Sequence, residues 1–399
     1  MIKKSILIAC LFLSLVSFAQ EGTSSPYSFY GIGDIRFKGT AENRSMAGLA
    51  IAPDSIHINL QNPAGYSDLK LTSFSIGGTY NTTSQKTDSQ SGSARRTTLD
   101  YLAVGLPLGK LGMGFGLIPY SSVGYKIKTT STILDGSGGM NKVFLGFGYK
   151  LGANLSVGAD AQYNFGTIKT TTFVIDSNIA NGTSELNTSV LSGINFNFGV
   201  MYQTQINKKM SLYSSVSYTA ESDLASQNTR EIAISGDNPS KLEDARTLKL
   251  PSKLSFGAGV GEIRKWLLGA EVTMQNKGNL YNSYNTNNNV TYEKHTKYTI
   301  GGYFIPNYKS YTSYAKRITY RGGLKYEKTG LVINSESIND LGLTLGIGMP
   351  LSGTFSNINF GFELGKKGTT AANLVQENYA NINIGFSLNE KWFEKRKFN

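Results

Sequence analysis

From Leu155 to Phe165 every second residue is apolar: Leu155, Val157, Ala159, Ala161, Tyr163 and Phe165 alternate with Ser156, Gly158, Asp160, Gln162 and Asn164. Period two puts the two sets on opposite faces of one strand, whereas a helix would scramble them within two turns. The pattern returns in Ile194 to Tyr202, Leu254 to Val260, Ile358 to Leu364 and Ile382 to Leu388, with Gly, Asn, Glu and Ser as the partner face.

Strands are expected near 69–83, 97–108, 112–130, 141–151, 154–175, 188–205, 210–220, 247–260, 265–276, 295–304, 317–327, 340–351, 355–365 and 378–389. The total is about 14, an even number, as in single-chain bacterial barrels. Connections sort by parity. Those after even strands are tight, such as Gly109 to Gly112 and Leu151 to Asn154, and those after odd strands (84–96, 176–187, 221–246, 277–294, 366–377) are long and polar. Only 305–316, IPNYKSYTSYAK, is long where a short turn is expected. The partner face lacks the Lys and Glu of a soluble exterior, and closure in lipid gives every backbone polar group a partner. The fold class predicted is therefore all-β: a transmembrane antiparallel β-barrel over 67–389, in the outer membrane of a Gram-negative bacterium, both termini periplasmic.

Residues 1–19 read as a signal peptide, with Lys3 and Lys4 before an apolar run and Ser17-Phe18-Ala19 before a cut at Gln20. A lipoprotein cut before Cys10 would leave only Ile6 to Ala9 as its apolar core, shorter than the roughly 7 residues such a core needs. Cys10 is the only cysteine, so the processed chain holds neither a disulfide nor a thiolate metal site. It keeps 37 basic against 27 acidic residues, an excess read as solvated loop lysines. The tail 390–399 is basic, with Trp392 and Phe393 suited to a membrane interface.

A lumen enclosed by fourteen strands leaks unless something occupies it. Residues 20–66, rich in Gly and turn formers, are the candidate hatch, since non-strand backbone at membrane depth is tolerated only inside the protein or along a watery cavity. Asn62, Pro63, Ala64 and Gly65 form its hinge: Pro63 biases Asn62 towards extended geometry, and Gly65 supplies a bend before the first strand. The stretch RSMAGLAIAPDSIHINLQNPAGYSDL, with LPSKLSFGAGV at 250–260 and the strands of 323–350, resembles the FadL/TodX-type outer-membrane proteins. That resemblance implies a barrel plugged by an N-terminal hatch, inward passage of hydrophobic molecules, and a kinked third strand that opens sideways to the bilayer. Here the third strand carries Pro119, Ser121, Ser122 and Gly124 as the candidate lateral window; the other reading is that Pro119 and Tyr120 mark the strand's exit from the hydrocarbon. Bacteroidota-type barrels of this fold also include PorV-like subunits of the type nine secretion translocon and barrel partners of the outer-membrane assembly machine.

Enzyme chemistry finds no support. His57 and His295 have no partner at metal-ligand spacing, no nucleophile-elbow or nucleotide fingerprint occurs, and Asp135-Gly136-Ser137-Gly138-Gly139 reads as a surface loop. No cofactor and no nucleic acid are implied. Two functions stay open: passive uptake of a hydrophobic ligand, or a non-transporting subunit that binds other outer-membrane or periplasmic proteins. In both, outer-membrane lipid and lipopolysaccharide surround the wall. The Tyr-rich 298–320 stretch is a rim anchor in one reading and a docking surface in the other.

Overall fold

The computed structural model describes residues 22–392 apart from 38, 130, 175–182, 234–239 and 279–288. The expected signal peptide and most of the basic tail lie outside the described residues. Fourteen wall strands run antiparallel in chain order: β1 (Thr72–Lys86), β2 (Ser91–Leu108), β3 (Leu111–Lys128), β4 (Thr132–Leu151), β5 (Leu155–Val174), β6 (Thr183–Gln205), β7 (Met210–Thr219 and Ser222–Ala233), β8 (Ser240–Leu242, Arg246–Leu250 and Lys253–Glu262), β9 (Trp266–Gln275), β10 (Val290–Tyr292 and His295–Phe304), β11 (Thr319–Ile333), β12 (Glu336–Pro350), β13 (Asn357–Lys367) and β14 (Gln376–Glu390). The last pairs with the first from Thr72↔Glu390 to Lys86↔Gln376, which closes the barrel.

Alternation decides which way each strand faces. Ile347, Phe360 and Ile384 sit side by side on β12, β13 and β14 and are all exposed, whereas the next row, Gly346, Gly361 and Asn383, turns inward. Leu145, Phe147, Phe196, Phe198, Ile300 and Leu343 likewise point outward. The apolar face is thus on the outside, the arrangement lipid requires and water would not tolerate.

The loops are shorter than the sequence predicts. Residues 84–86 and 91–96 continue the β1–β2 ladder, so only 87–90 remain as a loop. Asp135 to Gly139 is not a surface loop: it belongs to β4 and pairs with both β3 and β5. Ser222–Ala233, expected within a loop, extends β7 along the Ser184–Ser192 part of β6. In these extensions the inward face is largely polar, as with Ser226 and Asn228, so alternation in hydropathy vanishes while the ladder hydrogen bonds persist. The connections Gly109-Lys110, 152–154, 206–209 and 263–265 stay tight, and 305–318 remains the long exception at that same end.

Candidate functional site

Residues 22–71 pack against the inward face of the wall, and two rows of glycine make room for them. Gly112, Gly148, Gly158 and Gly199 are in register across β3 to β6. Pro63, Ala64 and Tyr66 rest on this row: a Cβ on Gly158 would lie 2.5 Å from the Ala64 nitrogen, and one on Gly148 would lie 2.6 Å from the Pro63 oxygen. A second row, Gly259, Gly269, Gly301 and Gly323, crosses β8 to β11 beneath Ile51 and Met46. At contacts this short any side chain would displace the segment.

Asn62 fastens the first of these seats. Its Oδ1 accepts from the Ala64 N–H (3.0 Å) and caps the short 3-10 turn Pro63–Asp68. Its Nδ2 donates to the Val200 and Val216 carbonyls (3.2 and 3.0 Å) and to Ser215 Oγ (3.1 Å), reaching both β6 and β7. Gly65 works differently from the sequence expectation. It is not among the glycines with positive φ; what matters is its size, since a Cβ there would fall 2.9 Å from Asn59 Cβ.

Charged contacts tie the rest of the segment to the wall. Asp34 pairs with Lys367 (2.5 Å), Ser25 Oγ donates to Glu377 (2.9 Å), and Arg44 faces Asp100 (3.6 Å). Asp100 is a bulged residue between Gly77 and Gly78 of β1, so both it and Tyr101 turn inward. Each histidine has a carboxylate: His295 meets Glu327 (2.9 Å), and His57 lies between Asp54 (2.8 Å) and Glu42 (3.4 Å). Burial works against the charged form of His57, but Asp54 and Glu42 outweigh it and raise its pKa. Asp54 is lowered to about 2, its burial offset by His57 and by the N–H groups of Ile56 and His57. With 45% of its side-chain surface open, Asp54 is screened by water, so this shift implies only modest stabilisation.

The candidate window lies where the wall parts. Pairing between β2 and β3 ends at Leu102↔Leu117; from Ile118 onward β3 follows β4, with a bulge at Tyr120 between Pro119 and Ser121. The short strand Asp34–Ile35 occupies the edge that β3 presents there, opposite Ser122 and Ser121. Ser121 Oγ donates to the Ile32 carbonyl (2.8 Å), Arg36 Nε to Ser122 Oγ (3.2 Å), and the Gly124 N–H to Ser28 Oγ (3.2 Å). Ile35 itself is exposed. Pro119, Ser121, Ser122 and Gly124 are thus brought together at the parting, and the N-terminal segment covers it.

A cavity of about 430 Å³ remains inside, lined by Arg36, Lys142, Asn195, Lys297, Glu327 and Tyr379 among others. Apolar side chains, Ile32, Ile118, Tyr120 and Leu331 among them, share the lining with these polar and charged groups. Among the described residues no group of three or more His, Cys, Asp or Glu is placed to hold a metal ion.

A sequence model of the BamG family matches residues 1–399. The chain belongs to the BamG family. This BamG-family barrel is similar in fold to the toluene transporter TbuX of Ralstonia pickettii, with 17% identity over 88% of this chain and 99% of that one at a TM-score of 0.62. It is similar also to the toluene transporter TodX of Pseudomonas putida (16% identity, 90% and 98% covered, TM-score 0.59) and to a FadL homologue of Pseudomonas aeruginosa (12%, 89% and 98%, 0.60). At these identities the likeness extends to the fold alone. No curated protein matches the BamG-family chain in sequence.

Proposed function

We propose that this chain is a non-transporting barrel subunit of an outer-membrane protein assembly complex, its lumen closed by residues 22–71 acting as a fixed plug and both chain termini on the periplasmic side. The observation that carries this reading is the seating of the segment on two in-register glycine rows. A plug whose backbone interlocks with two arcs of wall cannot shift without opening voids, and packed interiors resist that. Membership of the BamG family favours the assembly machine over the type nine translocon as the complex concerned. Gentle extraction of tagged chain from native outer membranes tests it: stoichiometric recovery with larger assembly-machine subunits is expected, and a barrel that always purifies alone sinks the proposal.

A second reading, lateral passage of a hydrophobic molecule, is favoured by one observation. The β2–β3 ladder stops at Leu117 with Ile35 exposed at the parting. In that reading Pro119, Ser121, Ser122 and Gly124 frame the exit.

A further inference from the structure

The connection from Phe304 to Thr319 is out of proportion to its neighbours. At the same end the other described turns need two to six residues, such as Gly109-Lys110 and 351–356, to carry the chain between strands through the lipid interface. Fourteen residues are not required for anchoring, and these are held in one shape by their own hydrogen bonds. Ile305 N–H donates to the Lys265 carbonyl (2.6 Å), Asn307 N–H to the Lys316 carbonyl (2.8 Å), and Arg317 N–H to the Tyr314 carbonyl (2.9 Å). Tyr314 OH donates to the Pro350 carbonyl (3.0 Å), and Ile305 and Ser310 are buried as pins.

What this loop displays is aromatic and basic. Tyr311 is 100% exposed and Tyr308 is 45% exposed. The Arg264 guanidinium lies 5.0 Å from the Tyr308 ring centre, and that of Arg317 lies 5.2 Å from the Tyr314 ring centre. Lys309 and Lys316 add charge, residues 305–318 contain no Asp or Glu, and the nearby Glu262 is taken by Lys265 (3.0 Å). Rigid tyrosines and arginines are the residues that carry binding energy in protein interfaces, and an ordered loop loses little conformational entropy when it binds.

We propose that the 305–318 loop, with Arg264, is a docking surface for an acidic patch on a partner protein, Tyr311 and Tyr308 supplying the contact area and Lys309, Lys316 and Arg317 the charge match. This rests on the reading of the chain as a subunit of a complex and names the face through which it joins. The test places a photo-reactive amino acid at position 311 of the full chain in native outer membranes, with position 110, on the β2–β3 turn, as the control. A crosslink to a protein is expected at 311 and not at 110, its contact peptide net negative. Lys316→Glu with Arg317→Glu should weaken recovery of that protein at least tenfold. So should Tyr311→Ala alone, a change at a fully exposed side chain that leaves the heat-modifiable mobility of the barrel intact. Crosslinking only to lipid, or recovery indifferent to both variants, overturns the docking surface while a stoichiometric complex would leave the subunit reading standing. Absence of any complex overturns that reading, and this surface with it.

Discussion

Gly158 lies directly beneath Ala64: a Cβ on the wall residue would come within 2.5 Å of the Ala64 nitrogen. The two are far apart in sequence, and the missing side chain of one is what lets the other sit against the wall. Gly158→Val should therefore destabilise the barrel by about 1–3 kcal/mol, the usual cost of overpacking, and make the N-terminal segment easier to cleave by protease. Gly92→Ala, with nothing within 4 Å of the added atom, should change stability by less than about 0.5 kcal/mol. Urea titration of the two variants in detergent checks this; equal stabilities would mean the segment is not seated on the row.

Lys325 is held between two carboxylates, Glu363 (2.7 Å) and Asp340 (3.1 Å), and Tyr379 OH donates to the latter (2.7 Å). Removing the cation leaves two largely buried acids facing each other. Lys325→Met should cost about 3–5 kcal/mol, and adding Asp340→Asn and Glu363→Gln should restore most of the loss. If the triple variant unfolds at the same urea concentration as the single one, charge pairing is not what stabilises this part of the lumen.

His57 makes the contacts of the N-terminal segment pH-dependent. Its folded pKa is raised above 6.5, so the folded chain binds the extra proton and the stabilisation is full below pH 6.5, then lost as pH rises through the folded value. Asp54 has the opposite sign: its contribution is present above 3.8 and is lost as pH falls through about 2. The difference in stability between wild type and His57→Gln should be greatest between about pH 4 and 6.5 and shrink above that range. A difference that grows with alkalinity would rule out a charged His57.

The wall was legible because one face of each strand meets lipid, which imposes period two on residues such as Tyr163 and Phe196. The Ser222–Ala233 part of β7 was not, since its buried face, Leu224, Ser226 and Asn228, is mostly polar, so hydropathy does not alternate even though burial does. Nor was the seat of the segment. Gly112, Gly148, Gly158 and Gly199 are scattered along the chain and become a row only once register is known. The bulge at Tyr120 fell inside the stretch that Pro119 and Gly124 had marked, because both residues weaken a strand locally. That Asp34–Ile35 would cover the parting left no trace, since two residues of edge pairing need no periodic pattern.

That cover separates the two functional readings. Ile35 and Ser121 are directly opposed on neighbouring strands, where Cα atoms stand roughly 4.5 to 5.5 Å apart, within the reach of a disulfide. Ile35→Cys with Ser121→Cys should crosslink the N-terminal segment to β3 and hold the parting closed. Lateral passage requires Asp34–Ile35 to leave that edge, whereas a fixed plug does not. For a non-transporting subunit, toluene entry into cells should differ by less than about twofold between the oxidised and reduced forms, and co-purification with partners should be unchanged. Toluene entry at least tenfold faster after reduction than with the crosslink intact would transfer the function to the passage reading and make Asp34–Ile35 its gate.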